Sequence, residues 1–269
     1  MRWGPVTWRA MRRRLVRLLP PLGVLAAALA VWQIVTQVER VPDFLLPGPL
    51  EIWQSAVSER DLLLSNAVPT AEIAVLGFLL ALVTGFVLAV LIHYSRLLEL
   101  SLYPIVIASQ TVPVLALAPI LVVILGFTLL PKLIIVALVC FFPITVNTVD
   151  GLRSVDRDLI NLMRTMGAGR ARIFRYVELP NSLPYLFSGA KVAVTFSVIG
   201  ALFGEWVGSS EGLGYLMTQK QAQFDTGALF AAMALLSLIG IVLFVVVLLA
   251  ERLLLPWYHD ENDALIRRP

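Results

Sequence analysis

The sequence predicts an all-α membrane protein with six transmembrane helices, both termini cytoplasmic, and a polar hairpin between the fourth and fifth helices. Three observations predict it. First, residues of the types Ala, Val, Ile, Leu, Met, Phe, Trp, Tyr and Cys fill 59% of the 269 positions, charged residues only 14%, and the mean hydropathy is +0.86. Soluble domains carry about 25% charged residues, and no aqueous core holds such a surplus. Second, the apolar residues run continuously instead of alternating with period two, which selects helices over a barrel. Third, the basic residues are segregated, with seventeen of the 21 Lys and Arg falling on the side of the N-terminus. Basic residues near span ends are retained in the cytoplasm.

The formal charge of +3 is not gathered into long basic runs, which argues against a disordered or nucleic-acid-binding chain. A single cysteine, Cys140, forbids an intrachain disulfide. Arg2, Arg9, Arg12, Arg13, Arg14 and Arg17 precede the first apolar stretch. No small-x-small site interrupts that stretch, so we read it as a membrane helix rather than a cleaved signal.

A helix needs about 20 residues to cross roughly 30 Å of hydrocarbon. Windows of that length give spans at Leu22–Val38, Ala71–Ile92, Leu102–Leu125, Leu133–Val149, Phe187–Val207 and Ala228–Ala250. The resulting division is an arm, first helix and external loop over 1–65, a transmembrane domain over 66–250 and a cytoplasmic tail over 251–269.

The longest polar segment, Asp150 to Tyr185, is patterned as a hairpin. Asp156 is placed to cap a helix whose apolar residues Leu159, Ile160, Leu162, Met163 and Met166 share one face, opposite Asp158, Asn161, Arg164 and Thr165. Gly167 and Gly169 stop it. Ile173, Phe174 and Val177 then mark a second short helix, which should end by Leu179 because Pro180 follows, with re-entry into the bilayer at Pro184. The residues alone leave two readings open: an amphipathic hairpin lying on anionic headgroups, which six arginines would favour, or a docking element.

The stretch Asn161-Leu162-Met163-Arg164-Thr165-Met166-Gly167, nine residues, then Val177-Glu178-Leu179-Pro180 resembles the Glu-Ala-Ala, x3, Gly, x9, Ile-x-Leu-Pro signature of binding-protein-dependent ABC importer permeases. The match is at Gly167, Leu179 and Pro180, and conservatively at Val177. Asn161, Leu162 and Met163 stand where Glu, Ala and Ala are usual, so the contact made by the family's Glu does not carry over to Asn161. Leu46-Pro47-Gly48-Pro49, Ser109-Gln110-Thr111-Val112-Pro113, Phe141-Phe142-Pro143-Ile144 and Ser210-Glu211-Gly212-Leu213-Gly214 resemble the sulfonate, taurine and nitrate group of these permeases. Within that group, Leu162 to Gly167, Phe187-Ser188-Gly189 and Ala222 to Thr226 are most similar to permeases for thiamine-precursor pyrimidines (hydroxymethylpyrimidine), with riboflavin permeases nearby.

The resemblance implies a permease in the bacterial inner membrane. It implies a homodimer, two copies of an ATP-binding subunit and an extracytoplasmic solute-binding protein as partners. It assigns Asn161, Arg164, Gly167, Ala168, Arg170, Arg172, Leu179 and Pro180 to ATPase coupling. No Gly-x4-Gly-Lys-Ser/Thr phosphate loop occurs, so this chain has no means of cradling ATP phosphates, and ATP and Mg are expected on the partner ATPase; we also expect no enzyme activity, metal or bound cofactor on this chain.

Polar residues at membrane depth are costly and mark candidate paths. Gln110 and Thr111 lie in a span interrupted by Pro104, Pro113 and Pro119, Asn147 is near one end of the fourth span, and Glu205 is well inside the fifth. For Gln110, Thr111 and Asn147, interhelical hydrogen bonding of about 0.6 kcal/mol each is an equally good account. Glu205 needs water or a partner and is expected at a cavity wall or outer gate. Gly212 and Gly214 make a turn, and the resemblance adds part of an external gate. His93 and His259 lack a second metal ligand at helical spacing, Cys140 reads as a core residue, and Trp3, Trp8, Trp53, Trp206 and Trp257 as interfacial anchors.

Two other classes stand beside the permease. An ion-driven secondary carrier would favour inverted repeats and coupling carboxylates, of which only Glu205 qualifies. An intramembrane enzyme would need a nucleophile with a base, and no such pair is evident.

Overall fold

The computed structural model describes residues 8–38 and 45–258. His259, Trp3 and the acidic tail with Asp260, Glu261 and Asp263 lie outside them. The described chain is helical throughout: α1 (Trp8–Val38), α2 (Pro49–Ser58), α3 (Arg60–Tyr94), α4 (Arg96–Ala108), a 3-10 turn (Ser109–Thr111), α5 (Val114–Leu125), α6 (Leu129–Arg153), α7 (Arg157–Thr165), α8 (Arg170–Ile173), a π turn (Phe174–Glu178), α9 (Leu179–Gly208), α10 (Leu213–Ala222) and α11 (Thr226–Leu254). Four helical stretches are long and apolar enough to cross a membrane: Arg60–Tyr94, Leu129–Arg153, Arg170–Gly208 and Thr226–Leu254. A fifth is reached if the bent pair α4–α5 is one span, and Gly23–Val38 is a shorter apolar helix.

Two compact units are present among these residues. Those within Met1–Arg60 and Gln219–Ala232 form one, and Asp61–Thr218 with Met233–Pro269 the other. In the first, Pro49 opens α2 at a position where its missing N–H costs nothing, and the Leu50 amide donates to Gln33 Oε1 at 3.0 Å. The same unit ties α10 to the loop after it through Lys220. Its ammonium donates to Glu59 Oε1 at 2.6 Å and to Asp225 Oδ2 at 2.8 Å.

The second unit is organised on α6 against α9. Lipid offers no hydrophobic reason for two apolar helices to associate, so close packing must do it, and small residues allow the approach. Along α9 the buried positions Gly189, Ala193, Ser197, Gly200, Gly204 and Gly208 form such a stripe. A methyl at Gly200 would lie 2.9 Å from Val136 Cα, one at Gly204 3.2 Å from Lys132 Cα, and one at Gly189 would run into the Pro143 carbonyl. From α3, Gly77 and Gly85 meet the side chains of Val136 and Ile144 of α6 in the same way.

Three sequence expectations change. The predicted third span, Leu102–Leu125, is two helices bent by 100° at the 3-10 turn. Pro113 cannot continue a helix from Val112, which is extended at φ −76°, ψ 122°, and α5 restarts beyond it. The second hairpin helix does not end at Leu179: α8, the π turn and α9 form one continuous helical stretch. Pro180 sits in the first turn of α9, and the wide turn before it relieves the crowding of its ring on the carbonyl four residues back. The first span, predicted at Leu22–Val38, is the apolar end, Gly23–Val38, of a longer helix that starts at Trp8.

Candidate functional site

The hairpin is built as its residues dictate. Asp156, extended at φ −60°, ψ 124°, accepts the Asp158 amide at 2.8 Å and caps α7, while Asp158 places a negative charge in the first turn. α7 ends at Thr165, and Gly167 takes φ +78°, a left-handed conformation that side chains resist. The Gly167 amide returns to the Arg164 carbonyl and the Ala168 amide to Met163, both at 2.9 Å, closing the last turn. Asn161, Arg164, Arg170 and Arg172 are exposed, Ala168, Leu179 and Pro180 are half-buried, and a Cβ at Gly167 would meet nothing. Three apolar residues of the α7 segment also face outward: Leu159 is 44%, Leu162 56% and Met166 73% exposed.

The root of this hairpin is fastened at several points. Asn181 Nδ2 donates to the Gly151 carbonyl at 3.1 Å and to Ser154 Oγ at 2.8 Å, pinning the start of α9 to the end of α6. Glu178, 8% exposed, accepts from Tyr94 Oη at 2.9 Å, and its other oxygen lies 3.4 Å from His93 Nε2. Arg153 donates to Glu99 at 2.7 Å and lies 5.0 Å over the Tyr103 ring. Sequence reasoning missed this cluster because Glu178 occupies a variable position of the motif and its partners lie more than 80 residues away.

At the opposite end of the unit, Glu205 is 1% exposed. Its Oε2 accepts the Gly214 amide at 2.7 Å. The two preceding amides are also satisfied by side chains: Gly212 N–H by Asn66 Oδ1 at 2.9 Å and Leu213 N–H by Thr70 Oγ1 at 2.8 Å. Three residues from α3 and α9 therefore answer the free amides that begin α10, a helix start buried where water cannot do so. Gly212, at φ +104°, leaves no room for a side chain, since a Cβ there would overlap the Glu205 carboxylate. Lys132, which the predicted spans Leu102–Leu125 and Leu133–Val149 leave in the loop between them, is instead buried in α6 and donates to Ser209 Oγ at 2.8 Å. Beside it lies a cavity of about 430 Å³, with Pro69, Glu72, Phe127, Ser209 and Glu211 in its wall.

The remaining predicted path residues are not gathered at one point. Gln110 and Thr111 are exposed in the 3-10 turn at the bend, where Thr111 Oγ1 donates to the Ala108 carbonyl at 2.8 Å. Asn147 Nδ2 donates at 2.7 Å to the Pro143 carbonyl of its own helix. The hydrogen bonds seen for Thr111 and Asn147 are thus local, not between helices. Glu251, a third buried carboxylate at 2% exposure, pairs both oxygens with Lys191 Nζ at 3.0 and 2.8 Å. Among the described residues no cluster of three or more potential metal ligands occurs.

Long apolar helices packed through glycines, one of them broken, and a polar hairpin rooted between two of them define a multi-pass membrane protein. Residues 77–260 match the family described as the binding-protein-dependent transport system inner membrane component, and the chain belongs to that family. It is a membrane permease of the ABC importer type. Among its relatives is the formylaminopyrimidine transport permease protein ThiX of Halalkalibacterium halodurans, 38% identical over 93% of this chain and 100% of that one. The riboflavin transport system permease protein RibX of Chloroflexus aurantiacus is 37% identical over 88% and 91%. The putative aliphatic sulfonates transport permease protein SsuC of Bacillus subtilis is 30% identical over 87% and 86%. Two solved structures share the fold. The MetNI methionine ABC transporter, inward facing, has TM-score 0.55 at 23% identity, covering 71% of this chain and 96% of that chain. An amino acid ABC transporter with histidines has TM-score 0.57 at 18% identity, covering 76% and 97%.

Proposed function

We propose that this permease takes up an aminopyrimidine precursor of thiamine, or a related flat heterocycle, delivered by an external binding protein and driven by two copies of a separate ATPase that carry ATP and Mg. The 38% identity to the formylaminopyrimidine permease over nearly the whole chain supports the solute class. The chain works as a homodimer with six crossings and both termini cytoplasmic. The arm, first helix and external loop occupy 1–65, the transmembrane domain 66–250 and the tail 251–269.

The observation that carries the coupling role is the face of α7. Leu162 and Met166 are more than half exposed beside Asn161 and Arg164, on an element too polar to enter lipid. An exposed apolar patch rimmed by charge is a surface for a partner. In this reading the segment 156–180 seats in a groove of the ATPase. Gly167 and Ala168 allow close backbone approach, Arg164, Arg170 and Arg172 supply charge-assisted hydrogen bonds, and Leu179 and Pro180 carry the motion into α9. Closure of the ATPases then moves two permease copies as rigid bodies and alternates access to a path past Gln110, Thr111 and Asn147, with Glu205, Gly212 and Gly214 at the outer gate.

The test is reconstitution of the permease with its ATPase and binding protein. Uptake of labelled aminopyrimidine should exceed that of riboflavin and of an alkanesulfonate. Gly167→Glu meets nothing within 4 Å of its Cβ position, so it strains only the turn itself, at φ +78°, and should leave insertion intact while lowering uptake by at least about tenfold. Undiminished uptake with normal ATPase association would remove the coupling role, and a preference for sulfonate would remove the solute.

A further inference from the structure

We propose that Glu178 is a positioning residue that locks the return arm of the hairpin to the end of α3, so that movement of the hairpin is delivered to α3 and α9 together. This rests on the coupling role assigned above to the hairpin. It concerns a residue at the variable place of the motif.

Glu178 is the last residue of the π turn Phe174–Glu178, immediately before α9. A π turn is rare, and such single turns inside helices are frequent at functional sites. Here the side chain presented is a carboxylate that is 8% exposed. A buried carboxylate is tolerated only with partners, and both of its partners come from the last two residues of α3. Tyr94 Oη donates to Oε2 at 2.9 Å, and His93 Nε2 lies 3.4 Å from Oε1.

The contact is more than one bond. The Tyr94 ring packs on Phe174, the first residue of the same π turn, with centroids 5.7 Å apart, and on His93 in an edge-to-face arrangement at 5.1 Å. Both ends of the π turn are therefore held against one helix end. Asn181, three residues on, is held instead to the end of α6. A hairpin attached only through its own backbone would pivot at Gly167 and Gly169 and dissipate a push. One whose return arm is pinned to two spanning helices moves them as a block. Interlocked side-chain packing of this kind supports discrete rather than continuous motion.

The experiment compares wild type, Glu178→Ala, Glu178→Gln and Tyr94→Phe in proteoliposomes that contain the whole assembly, reading solute molecules moved per ATP hydrolysed alongside ATPase co-purification. Glu178→Ala should retain the ATPase and its hydrolysis but lower that ratio at least about fivefold. Glu178→Gln keeps an acceptor for Tyr94 and should restore most of it. Tyr94→Phe keeps the ring packing, removes only the hydroxyl and should fall between, with little further loss when combined with Glu178→Ala. A misfolded Glu178→Ala leaves the decision to Tyr94→Phe. A wild-type ratio in Tyr94→Phe and Glu178→Gln, together with a wild-type or unobtainable Glu178→Ala, overturns the lock. Failure of the wild-type chain to bind any ATPase overturns the coupling role itself, and the lock with it.

Discussion

Glu205 and Gly214 meet through a single hydrogen bond of 2.7 Å, from the amide that opens α10 to a carboxylate buried inside α9. The neighbouring amides of Gly212 and Leu213 are answered by Asn66 and Thr70, so α10 is held at its start by two spanning helices. Replacing Glu205 by Leu strands a buried N–H, which costs about 1–3 kcal/mol. Glu205→Gln keeps an acceptor and should cost clearly less. Gly212→Val, forced to φ +104° against the carboxylate, should be worse than either. Thermal unfolding of the detergent-solubilised permease would order the three, and equal midpoints for Glu205→Leu and wild type would contradict the capping role.

The pair Lys191 and Glu251 makes a different prediction, because both partners carry charge and Glu251 is only 2% exposed. Lys191→Met leaves a buried carboxylate alone and should destabilise by about 3–5 kcal/mol. The double change Lys191→Met with Glu251→Leu removes both charges and should recover most of that loss. A double-mutant cycle on the melting temperature checks it.

Lys220 and Asp225 give a pH dependence. Burial works against the Asp225 carboxylate, but the Lys220 hydrogen bond and the Ala228 amide outweigh it and hold its pKa below the ordinary value. Burial also works against charged Lys220, and its bonds to Asp225 and Glu59 outweigh that, raising its pKa. A depressed carboxylate contributes stability above its unfolded pKa and loses it as pH falls through the folded one. A raised amine contributes below its unfolded pKa and loses it as pH rises through the folded one. The loop around Phe224, which is 73% exposed at φ +56°, should therefore be best protected from hydrogen exchange between pH about 4 and 10, and less so outside that window. Lys220→Met should remove the protection within the window as well. Unchanged protection in that variant would contradict the account.

Asp156 tests the hairpin without touching its exposed face. Asp156→Ala removes the acceptor for the Asp158 amide and should cost α7 about 1 kcal/mol, whereas Asp156→Ser should restore most of it. Amide exchange across 157–165 would rise in the first and return in the second, with the exchange of α6 unchanged in both.

Much of α7 was legible because its information is local. Asp156, the apolar stripe and Gly167 act within one turn of the backbone they control, so spacing alone locates the cap, the helix and the stop. The continuation through Pro180 was not legible. A proline after Leu179 reads as a terminator by its missing N–H, yet the helix passes through it, following a π turn whose last residue, Glu178, accepts from Tyr94. The third span was legible in part: apolar length gave the stretch from Leu102 to Leu125 and its prolines marked an interruption, but the 100° bend between its two helices was not readable from hydropathy.

Glu205 shows the limit most clearly. Its depth in the fifth span was readable from hydropathy, but its full burial and its partner were not, since Gly214 lies across a turn whose shape depends on Asn66 and Thr70, some 145 residues earlier. The sequence by itself determined that this chain lives in lipid, crosses it as helices and carries a capped hairpin, because those properties follow from transfer free energy and local backbone geometry. The tertiary structure alone decided which polar groups meet inside the bundle. Such pairings depend on how glycine-lined helices settle against one another, and close packing between distant segments leaves no mark on either segment's own pattern.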